Sequence, residues 1–94
     1  MEIEVLDNPE EHRYEARVGS ELVGRIAYDL EGDRITLIHT EVEPEHEGKG
    51  IAGRLVAGAL ADIRARGLRM RPMCRFVRSY LERHPEHADL VDTL

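Results

Sequence analysis

The hydrophobic pattern of the chain changes its period once, near residue 50. Before that point apolar and polar residues alternate. Ile3 and Val5 alternate with Glu2 and Glu4, the pattern of a half-buried strand over residues 2–6. Asn8-Pro9 marks a turn. Tyr14, Ala16 and Val18 then alternate with Arg13, Glu15 and Arg17, predicting a second strand over 12–18. Gly19-Ser20, with glycine first, fits a type II′ hairpin into a third strand over about 21–29. Glu31-Gly32 makes the next tight turn, and a fourth strand runs over about 33–42. Its Ile35 and Leu37 fall on one face and its Ile38 and Val42 on the other. Being apolar on both faces, this strand is expected to be central and covered on both sides.

From Ile51 the apolar positions recur every three or four residues. Ile51, Leu55, Ala59 and Ile63, with Ala52, Val56 and Leu60, predict an amphipathic helix of about 16 residues that Gly67 stops. Residues 68–74 read as a short strand, which Pro72 confines to an edge or a strand end. A second helix is expected over 75–83, with Phe76, Val77, Tyr80 and Leu81 on one face. Pro85 closes it, and a last helical turn covers 86–92. The order ββββ-α-β-α predicts a small α/β fold (α+β in looser usage) with a mixed sheet of about five strands. A helix between two strands of one sheet makes the fifth strand parallel to the fourth. These two neighbours are expected to splay and open a cleft at the turn before the first helix.

Composition narrows the picture. A chain of 94 residues reads as one domain, 1–94. With no tryptophan and one phenylalanine, Phe76, it is expected to build an aliphatic core. No apolar run approaches the ~20 residues that span a bilayer, so no membrane partner is expected. The N-terminal Met-Glu-Ile-Glu-Val lacks the basic and apolar regions of a signal peptide, which suggests a cytoplasmic protein. One cysteine, Cys74, excludes an internal disulfide and a cysteine-built zinc site. His84 and His87 are spaced like ligands, but Pro85 between them spoils the helix, and no metal is expected. Net charge is −6, unevenly placed: residues 1–47 carry 4 basic and 14 acidic side chains, residues 48–94 carry 9 and 5. The acidic half argues against nucleic acid as a partner. It suits a cationic amine, while the basic half suits a phosphorylated ligand. A monomer or weak dimer is expected.

The candidate chemistry gathers in three places. The first is Glu47-Gly-Lys-Gly-Ile-Ala52, between a strand and a helix. Glycines at a helix start leave backbone N–H groups unobstructed, a ready site for phosphate, and Lys49 adds a cation. The pattern lacks the Gly-Lys-Ser/Thr and spacing of a Walker loop. It also comes too late in the chain for a dinucleotide fingerprint. The second is Cys74, just ahead of a helix and near Arg71, Arg75 and Arg78 in sequence, where a thiol can act as nucleophile or as acid/base. The third is the pair His39 and Glu41 on strand four, either of which can take a proton from an amine.

His39-Thr-Glu-Val-Glu-Pro-Glu-His-Glu-Gly-Lys-Gly-Ile-Ala-Gly-Arg-Leu55 resembles the acetyl-CoA-binding motif of the GNAT N-acetyltransferase superfamily, whose signature is Gln/Arg-x-x-Gly-x-Gly/Ala at a β-to-α turn. Arg71-Pro-Met-Cys-Arg-Phe-Val77, followed by Tyr80 and His84-Pro85, is similar to its short stand-alone members, the YjdJ-like group. The resemblance covers roughly residues 12–92. It implies an acetyl-CoA-dependent N-acetyltransferase acting on an unknown amine acceptor, directly or through Cys74. It implies that the backbone of Thr40, Glu41 and Val42 pairs with the pantetheine arm of coenzyme A. It implies that amides of Glu47, Gly48, Lys49, Gly50, Ile51 and Ala52 hold the pyrophosphate and that Tyr80 flanks the pantetheine or the thioester. Glu45 stands where the family usually has Gln or Arg. The short members lack the helices that bind acceptors in larger relatives. The alternatives are therefore a non-catalytic CoA-binding module and a protein-interaction domain.

Overall fold

The computed structural model describes residues 2–92. Five strands form one sheet in the order β1 (Glu4–Asn8), β2 (Arg13–Val18), β3 (Glu21–Glu31), β4 (Arg34–Val42) and β5 (Arg69–Pro72). The first four are antiparallel neighbours, and β5 runs parallel to β4. Helix α1 (Ile51–Ala65) connects β4 to β5, and α2 (Arg75–Arg83) follows β5. A 3-10 turn, Pro85–Leu90, closes the described chain, and Asp92 donates its amide to the Met70 carbonyl at 2.8 Å. These elements match the predicted order, with boundaries shifted by two residues or fewer; β5 loses one residue at its start and two at its end.

The buried apolar residues form one cluster on one face of the sheet. Tyr14, Ala16, Ile26, Tyr28, Ile35, Leu37 and Met70 meet Ile51, Leu55, Ala59, Leu60 and Ile63 of α1 and Val77 of α2. The core is less purely aliphatic than the composition suggests. Tyr14 and Tyr28 lie inside it with ring centroids 5.3 Å apart. Their hydroxyls are satisfied at its rim, Tyr14 donating to Asp62 at 2.7 Å and Tyr28 to Asp7 at 2.6 Å. Burial, together with these carboxylates, pushes both phenols above their ordinary range. Arg66 joins both aspartates and completes the network.

The expectation that β4 is covered on both sides is corrected. Ile38 is 48% exposed, and His39 and Glu41 are exposed as well. The reason is one extra residue. Ala27 pairs with His39 but Tyr28 pairs with Leu37, so Ile38 is the unpaired residue of a β-bulge. The bulge reverses the in/out alternation. Leu37 and Ile35 share the helix-covered face with Thr40 and Val42, rather than opposing Val42. The bare face carries charge instead. There Glu15 is only 2% exposed because Asn8, Arg13 and Arg17 all donate to its carboxylate at 2.8–2.9 Å.

Candidate active site

The site begins where β5 stops. Parallel pairing between β4 and β5 covers Arg34–Leu37 and ends at Pro72, which has no amide to continue the ladder. The Met73 and Cys74 amides both turn back to the Leu37 carbonyl at 3.0 Å, and α2 starts there. Beyond Leu37, β4 has no strand on its β5 side, so residues 38–42 present a free edge. The opening expected beside the fourth strand is present, and it arises because β5 ends early at Pro72.

The glycine turn lies at the far end of that edge. Pro44–His46 form a 3-10 turn, and Gly48 and Gly50 take positive φ angles of 82° and 76°, a region that favours glycine. Among the described residues, the amides of Gly48, Lys49, Gly50, Ile51, Ala52 and Gly53 donate to no protein acceptor. The first bond of the helix is Arg54 to Gly50 at 3.2 Å. A Cβ placed on Gly48, Gly50 or Gly53 meets no protein atom within 4 Å. The amide of Glu47, also expected to be free, is already bonded to the Pro44 carbonyl at 3.3 Å. Gly24 lets α1 approach: a Cβ there would lie 3.2 Å from the Glu41 carbonyl and 3.3 Å from Ile51 Cγ2.

Two cavities follow the free edge of β4. One, of about 400 Å³, is bounded by Thr40, Val42, Gly48, Gly50, Ile51 and Phe76, among others. The next, of about 430 Å³, includes Ile38, His39, Thr40, Cys74, Phe76 and Ser79. Thr40 and Phe76 border both, so the two form one groove from the free amides to the cysteine. Cys74 is 5% exposed, and its Sγ lies 3.1 Å from Thr40 Oγ1, either group being able to donate. His39 is on the bare face, its Nε2 3.9 Å from a Glu41 carboxylate oxygen. Arg25 bridges Glu41 and Glu43 at 3.3 Å each.

The predicted residues therefore divide. Thr40, Val42, Glu47, Gly48, Gly50, Ile51, Ala52, His39 and Cys74 line the groove. Lys49 is exposed beside it. Glu41 lies on the other side of β4, in a third cavity of about 400 Å³ that also meets Thr40 and His39. Tyr80 is not among the lining residues. It stacks on His84 with centroids 4.1 Å apart, one helical turn beyond Phe76, which takes the place in the groove expected of Tyr80. The motif does not point to Phe76, although Phe76 and Tyr80 lie four residues apart on one helical face. Glu45 is exposed and does not line the groove. Its carboxylate turns to Glu21 and His46, with the three ligand atoms within 4.8 Å of one another. Asn8, Arg13 and Arg17 outweigh the cost of burying Glu15 and hold its carboxyl at about 2.

A sequence profile of the GCN5-related N-acetyl-transferase family matches residues 13–90. The chain belongs to that family. No curated protein matches the GCN5-related chain by sequence. Its fold is shared by a GCN5-like protein of Staphylococcus aureus, with 22% identity, a TM-score of 0.70, and 97% of this chain and 89% of that one covered. It is shared also by a ribosomal-protein-alanine N-acetyltransferase of Brucella melitensis biovar Abortus, with 21% identity, a TM-score of 0.57, and 87% and 62% covered. At these identities the two structures speak for the fold. No helix among the described residues is long and apolar enough to cross a membrane.

Proposed function

We propose that this protein is an acetyl-CoA-dependent N-acetyltransferase acting on an amine. The observation that carries the reading is the run of unpartnered amides from Gly48 to Gly53, at the mouth of a groove along the free edge of β4. A diphosphate fits such a cradle because each amide needs an acceptor and the positive end of the α1 dipole points the same way. The backbone of Thr40, Glu41 and Val42 supplies the unsatisfied strand edge on which an amide-bearing pantetheine arm lies. Phe76 supplies apolar cover. When bound, acetyl-CoA supplies an activated thioester carbonyl.

The chain's own residues then handle protons and position. His39, at the inner end of the groove and beside Glu41, is placed to take the proton of an attacking amine. Cys74 and Thr40 form a hydrogen-bonded pair beside the same cavity, placed to return a proton to a leaving sulfur. In the direct route a C–N bond forms at the carbonyl as the C–S bond breaks. A covalent route requires the Cys74 thiol to leave Thr40 and turn into the groove.

The test has two stages. Coenzyme A is titrated calorimetrically. At 100-fold excess over its Kd it should stabilise the fold by about 2.7 kcal/mol. Free thiol release from acetyl-CoA is then followed with a panel of amines for the natural protein, Cys74→Ala and His39→Ala. Loss of turnover in His39→Ala with retained coenzyme A binding is the expected result. Unchanged turnover in Cys74→Ala removes the cysteine from the chemistry. Binding without turnover on any amine favours the binding-module reading, and no binding at all refutes the proposal.

A further inference from the structure

One cluster is not used by the proposed reaction, and of its three residues only His46 also borders the groove. Glu21 opens β3, while Glu45 and His46 belong to the 3-10 turn just before Gly48. His46 Nε2 lies 3.3 Å from Glu21 Oε2, and the Glu45 carboxylate completes a trio of ligand atoms within 4.8 Å. Zn–N and Zn–O bonds of about 2.0–2.2 Å in a tetrahedral site place neighbouring ligand atoms about 3.4 Å apart. The Glu21–His46 pair already has that spacing. Glu45 is exposed, so its side chain is free to change rotamer toward an ion. Among the described residues, no lysine or arginine pairs with either carboxylate, and His46 is the ionic partner of Glu21.

We propose that Glu21, Glu45 and His46 bind a divalent transition-metal ion, zinc being the best match. An imidazole with two carboxylates suits zinc, whereas magnesium and calcium favour all-oxygen sets. Three protein ligands leave a fourth position for water. The ion ties the β2–β3 hairpin to the turn that presents the free amides. Because His46 also lines the diphosphate cavity, the bound ion stiffens that turn and brings positive charge beside it. This coupling rests on the proposed coenzyme A site; metal binding itself does not.

The experiment titrates zinc chloride into chelator-treated, dialysed protein with no coenzyme A present. One-to-one binding in roughly the micromolar range is expected. His46→Ala and Glu21→Gln should each weaken it by about tenfold or more, while His84→Ala, at the other histidine-rich segment, leaves the isotherm unchanged. Melting curves without metal check that the variants fold. Absence of binding, or binding that neither His46→Ala nor Glu21→Gln weakens, overturns the site. Coenzyme A is then titrated with and without saturating zinc. Tighter binding with zinc, lost in His46→Ala, supports the coupling, and unchanged affinity removes it. Zinc binding without any coenzyme A binding leaves the metal site standing and refutes the cofactor reading instead.

Discussion

The two halves of β4 are one strand in sequence and two environments in space. From Arg34 to Leu37 it is paired on both sides and buries Ile35 and Leu37 completely. From Ile38 to Val42 it is paired only with β3, its side chains are exposed or half-buried, and its other edge borders the groove. Two residues make the difference. Pro72 ends the neighbouring strand, and Ile38 adds a bulge that turns the alternation over. The first half supplies stability and the second supplies an unsatisfied backbone edge. A ligand that pairs with that edge has no internal partner to displace.

The largest effect that separates the halves should come from Leu37→Ala set against Thr40→Ala. Leu37 is fully buried in the core, and truncation of such a leucine costs about 2–5 kcal/mol. Thr40 is half-buried and its hydroxyl meets Cys74. Its loss should cost about 1 kcal/mol or less, yet lower turnover. Denaturant unfolding measures the first and thiol release the second. Equal destabilisation by both changes would erase the distinction.

This division was only partly legible in the sequence. The change from period 2 to period 3.6 at Ile51, the stop at Gly67 and the turn at Gly48-Lys-Gly50 are local signals, and all three stand where expected. The Ile38 bulge is a property of pairing between strands and leaves no mark on β4 alone, which is why simple alternation puts Val42 on the wrong face. Glu15 reads as solvent-facing in an alternating strand, and only its three donors explain its burial. The Thr40–Cys74 and Glu21–His46 contacts join residues far apart in the chain, so spacing could not show them. Tyr80 and Phe76 share a helical face, and periodicity could not say which turn reaches the groove.

Packing against α1 provides the next contrast. A Cβ on Gly58 would lie 2.7 Å from Val5 Cβ, so α1 touches β1 directly there. Gly58→Ala gains roughly 1 kcal/mol of helix propensity but overpacks a rigid contact, at a cost of about 1–3 kcal/mol. A net loss of about 1 kcal/mol is expected in thermal unfolding, with coenzyme A binding unchanged because the groove lies at the opposite edge of the sheet. A stabilised Gly58→Ala would show that β1 yields.

On the bare face, acid acts on stability through Glu15. Glu15 has its carboxyl lowered to about 2 from an ordinary 4.5, so its folded form favours the charged state. The stability this gives is present above pH 4.5 and is lost as pH falls toward 2. Glu15→Gln should lower stability at pH 7 by about 1–2 kcal/mol and flatten the decline between pH 4.5 and 2. A variant with the same acid profile as the natural protein would assign that decline to other carboxylates.

The smallest change in stability, and the one that separates the two roles most cleanly, is expected at Gly53. It sits in the first turn of α1, lines the cavity at the end of the open half of β4, and has no neighbour within 4 Å of a placed Cβ. Its φ is not in the left-handed region, so a side chain is not strained there. Gly53→Ala should therefore stabilise the helix by about 0.5 kcal/mol, because alanine loses less backbone freedom than glycine. Gly53→Leu fills the space in front of the free amides and should weaken coenzyme A binding by about tenfold or more while the melting temperature holds. Binding then falls at one residue without a loss of stability, as it must if the space before these amides is kept open for a ligand. If Gly53→Leu bound coenzyme A as tightly as the natural protein, the diphosphate would have to lie elsewhere, and the free edge of β4 would be a strand end without a role.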